Sequence, residues 1–143
     1  VFDSPHGLAN SVNVSTASEM AILSHHCMQN SVFCETVKTP FYECETDLAQ
    51  YEWQNTNRLL GFDFDSEDTV PLFTGTLGCK TGVTPTAGPC FSGCFSRYDN
   101  DEVEPDNCIV VVLGSKSMEA RWVEVPALVK YYQKVKAMAV KQI

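Results

Sequence analysis

A lysine, a threonine and a glycine stand together at Lys80-Thr81-Gly82, inside the run Leu77-Gly78-Cys79-Lys80-Thr81-Gly82-Val83. Lysine supplies a compact positive charge, a neighbouring hydroxyl supplies a directed hydrogen bond, and glycine lets a ligand approach the backbone closely. Together these three can bind a carboxylate. The run reads as a strand, and strand geometry restricts how the three cooperate. Leu77, Cys79 and Thr81 project to one side, and Gly78, Lys80 and Gly82 to the other. Lys80 and Thr81 therefore share a ligand only if it lies along the strand edge. Cys79, on the side away from Lys80, is expected to be buried rather than catalytic.

Other residues with chemical potential are weaker candidates. His25-His26-Cys27 offers three metal-capable side chains, but neighbouring helical residues point about 100° apart and do not converge on one ion. The two histidines read as surface residues, and no metal ligand or cofactor is expected. Carboxylates cluster at Asp63, Asp65, Glu67 and Asp68, and again at Asp99, Asp101, Glu102, Glu104 and Asp106. Neither group has the spacing of a calcium loop around a glycine, so both read as solvated loops.

The elements that must position Lys80 follow from pattern. Thr16-Ala17-Ser18-Glu19 has the form of a capping box and opens a helix over about Ala17 to Gln29, with Ala17, Met20, Ala21, Cys27 and Met28 as its buried stripe. From Cys34 to Tyr51, Val37, Phe41 and Tyr42 around Pro40 predict short extended pieces. After the strand carrying Lys80 comes a turn, Thr84 to Gly88. A strand then alternates Phe91, Gly93 and Phe95 against Cys90, Ser92 and Cys94. Cys108 to Leu113 is a β-branched run suited to a buried strand. The acidic stretch between these two strands predicts a hairpin with a long exposed loop. From Arg121 to Val140, the residues Trp122, Val125, Val129, Tyr132, Val135 and Ala139 recur at helical spacing, with Pro126 either near the helix start or at a kink. The predicted fold is α/β in the α+β sense. Strands near 76–83, 89–97 and 108–113 form an antiparallel sheet with flanking helices, the C-terminal one packed on one face. No internal repeat or linker divides the chain.

Four segments, in order, resemble the D-alanyl-D-alanine carboxypeptidases of the low-molecular-mass penicillin-binding proteins. Phe2-Asp3-Ser4-Pro5-His6-Gly7-Leu8 is similar to the family's segment running from phenylalanine to His-Gly-Leu. Asn13-Val14-Ser15-Thr16-Ala17-Ser18-Glu19-Met20-Ala21 is similar to its helix entry, and Asn55-Thr56-Asn57-Arg58-Leu59-Leu60 to its Asn-Thr-Asn segment. The stretch Gly78 to Cys90 is similar to the long signature built on Lys-Thr-Gly. The resemblance implies part of a penicillin-binding, serine β-lactamase-like fold, with residues 1–143 as the C-terminal half of the catalytic domain. It also implies serine acyl transfer on a peptide, with Lys80, Thr81 and Gly82 binding substrate. Here the chain departs from the family. No serine has a lysine three residues later, so no catalytic residue is assigned. Ser11-Val12-Asn13 fits the family's Ser-x-Asn triplet in form only, because it lies in the helix entry. His6 is expected to make a structural hydrogen bond. Asn13-Val14-Ser15 is a glycosylation sequence, but a structural role for Asn13 is the stronger reading.

Two functions remain open on these grounds. One is a carboxypeptidase chain whose serine-bearing half is a second polypeptide; the other is an inactive family member serving as a secreted structural or assembly subunit. A formal charge of −8 argues against nucleic acid as a partner. No window approaches the roughly 18 apolar residues of a membrane span. No basic segment followed by an apolar run precedes the first motif, so any targeting peptide lies elsewhere or has been removed. The 143 residues hold seven cysteines, many for this length, which points to a secreted or otherwise extracytoplasmic protein. An odd number permits one disulfide to the missing half. Cys34 and Cys44 are the expected internal bridge. Cys90 and Cys94, about 13 Å apart on one strand, cannot pair.

Overall fold

Thr16 starts the first helix as its sequence foretold. Its hydroxyl accepts from the Glu19 amide at 3.2 Å, and the Glu19 carboxylate accepts from the Thr16 amide at 3.0 Å. These two bonds satisfy backbone groups that the first helical turn leaves without partners. In this computed structural model, which describes residues 2–8, 10, 12–61, 73–99 and 102–140, helix α1 spans Ala17–Cys27. Its buried residue is Ser24, whereas Met20, Ala21 and Cys27 are half-buried and Ala17 is exposed.

A second helix, α2, covers Ser31–Lys38, where extended pieces were expected from Cys34 onward. Asn30 caps it, its side chain accepting from the Phe33 amide at 3.0 Å. Proline restricts only the residue before it. Thr39 is accordingly extended (φ −69°, ψ 117°) and ends the helix without preventing it. An antiparallel hairpin then forms from β1 (Phe41–Glu45) and β2 (Gln50–Gln54), apart from the main sheet.

The main sheet has the order β3-β4-β5, with β3 at Thr76–Thr84, β4 at Gly88–Asp99 and β5 at Glu102–Val112, all antiparallel. The expected long acidic loop between the last two strands is instead ladder. Asp99 pairs with Glu102 beyond a register shift at Ser96/Arg97. The ladder is made by backbone groups, so acidic composition does not exclude strand there. The Asp63 to Asp68 cluster lies outside the described residues.

Helix α3 (Ala120–Val140) packs over β4 and β5. Phe91, Phe95, Cys108 and Val110 from the sheet meet Trp122, Val125 and Val129, with Leu59 closing the core. Phe91 and Trp122 pack edge to face at 5.7 Å. Alternation sends Ser92 to the opposite face, where its hydroxyl meets that of Ser24 on α1 at 2.6 Å. Helices therefore cover both faces. Pro126 lies inside α3 rather than at its start, so the Trp122 carbonyl lacks its usual helical donor. The buried stripe ends near Tyr132, and Val135 and Ala139 are exposed. All seven cysteines are free thiols. That corrects the Cys34–Cys44 bridge: the Cys34 thiol instead donates to the Met28 carbonyl at 3.0 Å.

Candidate functional site

Among the described strands β3 lies at an edge of the sheet, and Lys80, Thr81 and Gly82 fall in its second half. Cys79 and Thr81 are buried while Lys80 and Gly82 are exposed, so the expected alternation holds through the motif. Upstream it breaks at a register shift between Thr76 and Gly78. There Gly78 adopts φ +117°, and a Cβ on it would stand 2.9 Å from the Val37 carbonyl oxygen of α2. Burial raises the pKa of the Cys79 thiol, with Cys27 nearby adding to the effect. Cys79 is thus placed as expected, in the interior and in its protonated form.

The three motif residues line one cavity of about 370 Å³ whose opposite wall comes from α1 and α2, including Met20, Cys27 and Val37. Nothing lies within 4 Å of where a Gly82 Cβ would be, so a ligand has room to reach the backbone. The Lys80 ammonium folds back onto the carbonyl of Thr81. The Thr81 hydroxyl is turned away to a partner the sequence did not reveal: it shares a 2.6 Å hydrogen bond with the Thr56 hydroxyl.

Thr56 is held there by its neighbours. The Asn55 amide donates to the carbonyls of Val37 (3.1 Å) and Thr39 (2.9 Å), and its oxygen accepts from the Asn57 amide at 2.9 Å. Asn57 caps the short 3-10 turn Arg58–Leu60 through the Leu59 amide, and Leu59 is fixed in the core. The Asn-Thr-Asn segment thus clamps α2, the core and β3 together.

Arg121 was also missed. It is 4% exposed, its guanidinium lies 4.5 Å over the Trp122 ring, and Nη1 donates to the Cys90 carbonyl at 3.2 Å. Cys90 pairs with Gly82. Burial, and then the neighbouring Arg58, hold the Arg121 pKa below its usual value, and its Nε has no partner. Both arginines and Thr56 line a second cavity of about 380 Å³. An arginine opening a helix reads as a solvated charge, so no sequence signal marks it. Among the described residues no activated nucleophile faces Lys80. Ser24 and Ser92 line the Lys80 cavity, but they are buried and bonded to each other. No group of three His, Cys, Asp or Glu side chains able to hold a metal occurs among the described residues. Asn13 has the structural role expected of it: it accepts from the Asp3 amide at 2.7 Å and donates to Ser4 and Leu8 at 3.2 Å each. His6 likewise accepts from the Leu8 amide at 3.0 Å.

An antiparallel sheet between helices, with Lys-Thr-Gly on its edge strand, defines the class of penicillin-binding, serine β-lactamase-like proteins. The family model for D-alanyl-D-alanine carboxypeptidases matches residues 1–117, and the chain belongs to that family. It is similar to the Streptomyces DD-transpeptidase at 29% identity and TM-score 0.73, over 91% of this chain and 46% of that one. Its fold is also like that of a D-alanyl-D-alanine carboxypeptidase from Mycobacterium tuberculosis, with 21% identity, TM-score 0.62, 82% of this chain and 39% of the other. The chain therefore spans less than half the length of these structures. No curated protein sequence matches it.

Proposed function

We propose that this chain is the C-terminal half of a serine-type D-alanyl-D-alanine carboxypeptidase domain and supplies its carboxylate-binding strand. Lys80 anchors the terminal carboxylate of a peptide substrate, Gly82 leaves space for it, and Thr81 and Arg121 lie alongside. The nucleophilic serine and its lysine belong to the first half of that domain, which these 143 residues do not include, in an extracytoplasmic setting. The observation that carries this reading is the Lys80-Thr81-Gly82 edge strand opening on an apolar cavity, in a chain that lacks Ser-x-x-Lys. A fluorescent penicillin, which acylates such serines, tests it. Residues 1–143 alone should stay unlabelled, and the domain completed by its first half should label only on the serine of that half. Lys80→Ala should slow that labelling roughly 30-fold or more, as expected for losing a charge-paired contact. Absence of labelling in the completed domain would instead favour the second reading, a catalytically inactive secreted structural subunit.

A further inference from the structure

The β1–β2 hairpin stands outside the main sheet and carries three aromatic side chains on one face. Tyr42 and Trp53 are opposed across the hairpin with ring centroids 6.0 Å apart, and Tyr51 stacks on Trp53 at 5.5 Å, nearly parallel at 6°. They are 57%, 53% and 43% exposed. Such a stack presents a large apolar area to water with no protein cover, as ligand-contacting aromatics do.

At the foot of the hairpin lies a cavity of about 530 Å³ walled by Tyr42, Trp53, Glu35, Thr36, Thr39 and Asn55. Its polar groups are unbalanced. Both amide hydrogens of Asn55 go to the Val37 and Thr39 carbonyls. The Thr36 and Thr39 hydroxyls donate to the Val32 and Glu35 carbonyls at 2.7 Å each. Gln54, also in the wall, has a partner of its own. What the wall offers a ligand is the Glu35 carboxylate, aromatic faces and hydroxyl lone pairs, with the Tyr42 hydroxyl and the Trp53 indole N–H beside them. An organic cation is drawn by the carboxylate and the aromatic faces together. No basic side chain lines the cavity; Lys38 lines the neighbouring one.

We propose that this cavity binds an organic ammonium group, such as the amine of a peptide side chain. The proposal stands apart from the acyl-transfer reading, because it uses none of Lys80, Thr81 or Gly82.

The chain has two tryptophans, Trp53 at the cavity and Trp122, only 6% exposed, in the core, so fluorescence reports on the site. At constant ionic strength, tetramethylammonium chloride and Nα-acetyl-lysine amide should each give a saturable change with a millimolar midpoint. Trp53→Phe should remove that change. Glu35→Gln should weaken binding about fivefold, the size of an exposed cation contact, with far-UV circular dichroism unaltered. Broadening of the tetramethylammonium proton signal by the protein, lost in Trp53→Ala, gives a readout independent of fluorescence. Sodium chloride, tert-butanol and N-acetylglucosamine should have no effect. A non-saturable response, an equal response to tert-butanol or the sugar, or unchanged affinity in Glu35→Gln would each overturn the proposal.

Discussion

At 2.6 Å the hydroxyls of Thr56 and Thr81 make one hydrogen bond in which either is the donor, so whether Thr81 has its own proton free to offer is set by Thr56. Thr56→Val should leave the buried Thr81 hydroxyl without its partner and cost about 1–2 kcal/mol, while Thr56→Ser should cost little; urea unfolding of both variants checks the pair. Lys80 stands out in the sequence because its charge lies next to a hydroxyl and two residues from a glycine on either side. Thr56 and Arg121 could not be, because their bonds span 25 and 31 residues and no local pattern encodes such contacts. The thiols allow a second test. Burial, with Cys108 nearby, pushes the Cys94 pKa up to about 11 from a usual 9.0. Between those values the folded state holds a proton that the unfolded state has lost. The contribution of Cys94 to stability is therefore complete below about pH 9 and is lost as pH rises toward 11. Alkylation at pH 8 should modify the half-buried Cys44 and Cys90 well before Cys79 and Cys94, which peptide mapping resolves. Prompt labelling of Cys94 in the folded chain would contradict its burial.

The strands that carry Lys80 and its neighbours were readable because their pattern has a period of two. Phe91 and Phe95 turn to α3 while Ser92 turns to α1, as that alternation required. Helix α2 escaped because eight residues ending beside Pro40 are too few for a helical period to stand out, and its cap at Asn30 lies outside the stretch that looked extended. The β1–β2 hairpin escaped as a unit because polar Gln and Glu residues alternate with its aromatics and nothing in the chain marks its register. Gly93 and Gly78 were both visible as letters, but the reason for each is tertiary. A Cβ at Gly93 would run into the Phe91 ring and come within 2.9 Å of Phe95. Gly93→Ala should therefore destabilise the fold by about 1–3 kcal/mol through overpacking. Gly78→Ala should cost at least as much, since it adds a positive φ to a clash with α2. Thermal denaturation measures both, and a neutral Gly93→Ala would show that the two phenylalanine rings are not held as described.

Taken whole, the molecule has surfaces that a finished domain would cover. Among the described strands, β5 pairs only with β4, so its outer edge exposes a row of backbone donors and acceptors. On either side of that sheet lie exposed apolar residues, Ile22 on α1 and Leu128, Tyr131, Val135 and Met138 on α3. The four on α3 recur at intervals of three, four and three residues, the spacing of a helical contact stripe. The proposed first half of the domain would have to seat against some of this surface, and the isolated chain should behave accordingly. It should bind an apolar dye and self-associate as concentration rises, by light scattering and sedimentation. Val135→Glu with Met138→Lys should suppress self-association without loss of helix content, because both positions face water in the folded chain. The same double variant should also weaken association with a separately produced first half of the domain. Residues 1–143 that stay monomeric at high concentration and bind no dye would mean these surfaces need no cover, and the proposed seating of the first half against them would lose its physical basis.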